Sequence, residues 1–111
     1  MNMEEMIRAA QQAAETIQKQ MGEAQSKLDE IEVEGVAGGG LVRITCSAKG
    51  RVLGVAIDDS LLAQSEKQML EDLIAAGFND ARKRADDVTQ QEMQRIQSAA
   101  GIPPGFKLGN F

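Results

Sequence analysis

The sequence predicts an α+β fold, a small three-stranded antiparallel sheet flanked by a long N-terminal and a long C-terminal helix. Three patterns lead there. From Val36 to Asp58, two alternating apolar segments flank a Lys49-Gly50 turn, which is how a β-hairpin is written. Before the hairpin the apolar residues repeat at heptad spacing, and after Ser60 they recur near the helical period. With 111 residues the chain makes one domain, expected over residues 1–100, followed by a flexible Gly/Pro tail at 101–111.

The first helix is expected from Asn2 to about Asp29. Met3, Ala10, Ile17, Ala24 and Ile31 are spaced by seven, and Ile7, Ala14, Met21 and Leu28 form a second such set, together the a and d positions of a heptad. Glu4 with Arg8, Glu15 with Lys19 and Glu23 with Lys27 place acid before base at i, i+4, each worth about 0.2–0.5 kcal/mol. Gly22 is the weak point, at roughly 1 kcal/mol relative to alanine. Such a helix spans roughly 40 Å. That is longer than a domain of this size is wide, so part of its stripe needs a partner.

Ile31 to Val36 alternates again and reads as a short first strand with Glu32 and Glu34 turned to solvent, where charge discourages stray edge pairing. Gly38, Gly39 and Gly40 then form a turn or bulge. A phosphate-cradling glycine loop leads into a helix, whereas a strand follows here. In the hairpin, Val42, Ile44, Cys46 and Ala48 fall on one face and Arg43, Thr45 and Ser47 on the other, and Leu53, Val55 and Ile57 resume the alternation. One face is expected to be buried and the other wet.

Ser60 is placed to cap a short turn, Leu61 to Gln64. Ser65, with Gln68 three residues on and Glu66 in the first turn, has the spacing of a capping box for the second helix. Leu70, Ile74, Gly77, Ala81, Ala85, Val88 and Ile96 make its apolar stripe. The stripe narrows to small residues at Gly77, Ala81 and Ala85, which permits close approach. Both prolines and Phe106, Leu108 and Phe111 lie in the tail.

Composition excludes several chemistries. There is no histidine and one cysteine, so no Cys/His metal cluster, no His general base and no Ser-His-Asp arrangement can form. No catalytic residues, metal, cofactor or small-molecule substrate are expected. Cys46 reads as a core thiol rather than a redox switch. No run of eighteen apolar residues and no signal-peptide layout are present, so a cytoplasmic protein without a membrane partner is expected. Without Trp or Tyr, stacking platforms for single-stranded bases are largely missing. A net charge of −5 repels a polyanion at long range, so contact with nucleic acid would need local basic patches.

The segment LEDLIAAGFNDARKRA (Leu70 to Ala85), preceded by GGGLVRITCSAKGRVLGVAID (Gly38 to Asp58) and followed by IPPGF (Ile102 to Phe106), resembles the YbaB/EbfC family of bacterial nucleoid-associated proteins. The likeness covers nearly the whole chain. It implies a tweezer-shaped homodimer of this fold that binds double-stranded DNA and is associated with the nucleoid. Arg82, Lys83 and Arg84 are then the leading DNA-binding candidates, with Arg8, Lys19 and Lys27 on the first helix and Arg43, Lys49 and Arg51 around the hairpin. Ile44, Val55, Leu70, Ile74, Gly77 and Ala81 are candidates for the dimer interface. Successive residues on a helix differ by about 100°, so at most two of Arg82 to Arg84 can face one partner. No helix-turn-helix or zinc finger is visible, so low-specificity, salt-sensitive contacts are expected. The alternative is a dimeric protein-interaction adaptor with weak or no DNA binding, which the acidic balance favours.

Overall fold

Asn2 opens the first helix by accepting the Glu5 N–H on its side-chain oxygen at 2.8 Å, one of the amides that a helix start leaves unpaired. The computed structural model describes residues 2–99. Helix α1 (Met3–Glu30) ends where Ile31 turns to extended backbone. Three strands follow, β1 (Glu32–Ala37), β2 (Val42–Ser47) and β3 (Val52–Ile57), antiparallel and in the order β1-β2-β3. The turn from β1 to β2 is a single 3₁₀ turn in which Gly38, Gly39 and Gly40 all have positive φ (63°, 68° and 103°). Side chains rarely adopt such angles, so the glycine run makes a tight turn into a strand.

The second helix, α2 (Lys67–Ala99), starts differently from expectation. Asp58, and not Ser60, caps the 3₁₀ turn Asp59–Leu62 by accepting the Ser60 N–H at 2.9 Å. Ser65 lies inside a second 3₁₀ turn, Gln64–Glu66, closed by the Glu66 N–H on the Ala63 carbonyl, and does not act as the cap. The backbone itself supplies the lead-in that the capping box was expected to provide.

α2 crosses the inner face of β1 and β2, burying Val42, Ile44, Cys46, Ala81 and Ala85 with Leu61. The crossing is close because Gly35 of β1 has no side chain: a Cβ there would run into the Gly77 carbonyl oxygen and the Ala81 nitrogen. The small-residue stripe is therefore a contact within the chain. Ile44, Gly77 and Ala81, three of the dimer candidates, are buried in it, and Leu70 and Ile74 pack half-buried at its margin. Asp80 also reaches over the edge of β1, its carboxylate accepting the Val36 N–H at 2.8 Å.

β3 departs from the expected half-buried hairpin. Val52, Leu53 and Val55 are 45–46% exposed, because α2 lies over β1 and β2 and leaves β3 uncovered. The register also shifts beside Thr45 and Cys46, leaving Leu53 as an extra residue between the pairs Thr45–Gly54 and Cys46–Val52. Val55 is thus the one dimer candidate with an open side chain.

The helices pair antiparallel through Ala24 and Leu28 of α1 and Glu92 and Ile96 of α2, all buried. Lys27 joins Glu92 at 3.3 Å rather than its helical neighbour Glu23, and among the described residues Glu4–Arg8 and Glu15–Lys19 do not close into ion pairs. Beyond this contact the outer half of α1 extends past the other described elements, with Met3, Met6 and Ile7 all more than half exposed. The molecule is accordingly long, 75 × 22 × 16 Å. Among the described residues no helix is long and apolar enough to cross a membrane. The proline-containing tail, expected to be flexible, lies outside the described residues.

Candidate nucleic-acid interface

α2 separates the three consecutive cations as its geometry requires. Ala81 and Ala85 face the sheet, so Lys83, roughly 200° from each, points away from it. Arg82 and Arg84 leave on opposite flanks. Arg84 turns towards β1, where its Nε meets Asp80 at 3.2 Å beside Glu34, Asp87 and Val88. Arg43, on the outer face of the sheet, is paired with Glu34 at 2.8 Å. That flank holds its cations among carboxylates. The Asp80 carboxyl is kept below the usual carboxylate range first by the Val36 N–H and then by Arg84 and Lys83, against the opposing effect of burial.

Arg82 turns the other way, to the β2–β3 turn. A methyl group on Gly50 would stand 4.0 Å from its Nη1. The turn is closed by the Gly50 N–H on the Ser47 carbonyl, and Gly50 takes φ 94°, which holds Lys49 at the tip. Thr89 of α2 donates to the Ala48 carbonyl at 3.2 Å and ties this turn to the helix. Between α1, the turn and α2 lies a cleft of about 120 Å³ lined by Gln25, Leu28, Ala48, Lys49, Arg82, Asp86 and Thr89. Arg51 flanks the turn and reaches Asp29 at 3.4 Å, while Arg82 Nε reaches Asp86 at 3.3 Å. Arg51 and Arg82 are 65% and 73% exposed, against 51% and 57% for Arg43 and Arg84, so their pairs leave the guanidinium groups more open to solvent. Among the described residues, Lys49 and Lys83 are exposed and stand outside every ion pair found.

The fold thus divides the Arg82–Arg84 run and adds two residues from another element to one part of it. Lys49, Arg51 and Arg82 gather at one end of the sheet, with Lys83 on the adjoining helix face. Their juxtaposition was not visible in sequence, since more than thirty residues separate the turn from the helix. Arg8 and Lys19 stand exposed on α1, further along the projecting arm. Lys27 is engaged with Glu92, whose side chain is only 8% exposed, and is a structural cation.

A second surface lies on the same flank. Phe78, 38% exposed, projects from α2 beside Val52 of β3, in a groove also lined by Cys46, Gly50, Asn79, Ala81 and Arg82. Phe78 and Val52 were not among the interface candidates. The signal for Phe78 was available, since it is the one aromatic residue outside the tail.

Comparison with known proteins agrees with the sequence resemblance. The sequence pattern of the YbaB/EbfC DNA-binding family matches residues 1–100. A nucleoid-associated protein of Methylocella silvestris is 42% identical over 106 residues, covering 96% of this chain and 98% of its own. One from Rhodopseudomonas palustris is 44% identical over 107 residues, covering 96% and 100%, and one from Rickettsia bellii is 48% identical over 95 residues, covering 86% and 89%. Among solved structures, an uncharacterized protein of Helicobacter pylori superposes with a TM-score of 0.69 at 19% identity, covering 86% of this chain and 97% of that one, a likeness of fold.

Proposed function

The chain belongs to the YbaB/EbfC DNA-binding family, and from that premise we propose that it is a nucleoid-associated, cytoplasmic protein that grips duplex DNA as a homodimer. The observation that carries the assignment of the surface is the convergence of Lys49 and Arg51 with Arg82 at one end of the sheet, on a flank with fewer carboxylates than the Arg84 side. Arg8 and Lys19 stand exposed on the projecting arm of α1 as further candidates. Flexible, exposed cations of this kind suit phosphate oxygens, contacts that position a duplex without reading its sequence. Binding is therefore of low sequence specificity and owes its affinity to counterion release.

A net charge of −5 opposes this at long range, which makes pairing of two patches in a homodimer necessary for useful affinity. The uncovered β3 supplies the surface for that pairing. Val55 remains the dimer candidate from sequence, now joined by Val52 and Phe78.

Fluorescence anisotropy against unrelated short duplexes at about 50 and about 200 mM salt tests the proposal. Lys49→Ala with Arg82→Ala should weaken low-salt binding about tenfold or more and make the salt slope shallower by about one for each phosphate no longer neutralised. Arg84→Ala should change affinity less than about twofold, because its charge is already engaged by Asp80. The opposite ranking would move the surface to the β1 flank. Absence of binding at low salt would favour the adaptor reading.

A further inference from the structure

The cations around the β2–β3 turn are interleaved with two carboxylates. Asp86 follows Arg82 by one turn of α2, meets its Nε at 3.3 Å and lines the same cleft as Lys49. Asp29, near the end of α1, meets Arg51 at 3.4 Å. These acids differ from the one that holds Arg84. Asp80 also accepts the Val36 N–H and its side chain is 32% exposed, so it is fixed to the sheet and keeps its arginine. The side chains of Asp29 and Asp86 are 45% and 62% exposed, so solvent weakens both pairs and either arginine is released at small cost. Arg82 also precedes Asp86 on the helix, the weaker order for an i, i+4 pair.

From this arrangement we infer that Asp29 and Asp86 are built-in competitors of the phosphate backbone and hold down the affinity of this surface for duplex DNA, an inference that rests on the DNA-binding reading above. When a duplex arrives, Arg51 and Arg82 each exchange a carboxylate for a phosphate, so neither gains an ionic contact outright. The two abandoned carboxylates then stand near the phosphates. There they repel the duplex and take up cations from solution, which offsets part of the counterion release that drives binding. Among the described residues Lys49 enters no ion pair found, so of these three cations it alone meets a phosphate without giving up a partner.

Variants of the full chain that lose these acids test the inference, read by anisotropy with short duplexes at about 50 and about 200 mM salt. Asp29→Asn with Asp86→Asn should tighten low-salt binding about three- to tenfold and steepen the salt slope by up to about one for each carboxylate removed. Asp87→Asn is the control. It removes one charge from the next residue of α2, but Asp87 lines the β1 flank with Glu34 and Arg84, so this variant should bind within about twofold of the parent. Circular dichroism should match the parent throughout, since Asp29, Asp86 and Asp87 are all exposed. Unchanged affinity in the double variant, beside a parent that binds, would overturn the inference and leave the DNA-binding reading in place. Tightening by Asp87→Asn as large as that by Asp86→Asn alone would trace the effect to net charge and overturn it too. Absence of binding by the parent and every variant would overturn the reading and the inference with it.

Discussion

Gly35 and Gly77 face each other across the contact between β1 and α2, and they should respond oppositely to a methyl group. A Cβ on Gly35 meets backbone atoms of Gly77 and Ala81, which cannot move without displacing the helix. Gly35→Ala should therefore cost about 3 kcal/mol or more, at the upper end of overpacking. A Cβ on Gly77 meets first the Ile44 Cδ1 at 3.1 Å, the far end of a flexible side chain. Alanine is also favoured over glycine in a helix by about 1 kcal/mol, so Gly77→Ala should lie within about 1 kcal/mol of the parent. Urea-unfolding midpoints of the two variants check this, and equal losses would contradict the geometry. The sequence distinguished these positions incompletely. Gly77 stood on a small-residue stripe and was readable as a contact, but Gly35 sat in an alternating strand with no local sign that a helix would cross it. Cys46 was legible for the opposite reason: its place in the alternation made it a core residue. Burial pushes its thiol pKa up, partly countered by Arg82, which keeps it out of the reactive thiolate form.

At the scale of elements, the pairing of α1 with α2 depends on one acid on an otherwise apolar seam. The Glu92 carboxyl is held below the usual carboxylate range by hydrogen bonds first from Arg95 and then from Lys27, although its burial pushes the other way. Because folding lowers this pKa, the ionised carboxylate stabilises the fold above the unfolded value of about 4.3, and that contribution fades as pH falls through the folded value. Glu92→Gln should cost about 1–2 kcal/mol near neutral pH. This is less than a fully buried pair would give, because Lys27 and Arg95 are 55% and 57% exposed in their side chains. The gap between parent and variant should then shrink progressively as pH falls below about 4.3, measured by denaturant unfolding near neutral pH and at acid pH. A gap that persisted at low pH would assign the loss to shape and not to charge. Both helices were legible from periodicity, while this contact was not. Glu92 falls seven residues after Ala85 and so lies on the buried stripe, but a periodicity reading counts apolar residues and passes over an acid. For the same reason the i, i+4 spacing points Lys27 to Glu23, its neighbour in sequence, whereas the fold offers it the more buried Glu92.

At the scale of the whole molecule, the two edges of the sheet are unequal. The β1 edge is closed by α2, with the Asp80 carboxylate already accepting the Val36 N–H. Among the described residues the β3 edge has no such cover, and it carries Val52, Leu53 and Val55, with Phe78 standing beside Val52 on α2. An exposed edge with an apolar face is a template for a second chain. Alternation in the sequence marked these residues as ones that want burial. It could not say whether the covering surface comes from the same chain or from another, because a pattern of faces carries no information about what packs on them. The proposed homodimer through β3 accordingly predicts that Val55→Glu with Phe78→Glu shifts sedimentation from dimer to monomer. The circular dichroism of the fold should be preserved, since both side chains lie outside the buried core. If two basic patches must act on one duplex, the same variant should also lose low-salt DNA affinity although no cation has been removed. A variant that stayed dimeric would remove β3 from the interface. One that became monomeric yet bound DNA as tightly as the parent would show that a single set of Lys49, Arg51, Arg82 and Lys83 suffices, and that the second copy serves something other than grip.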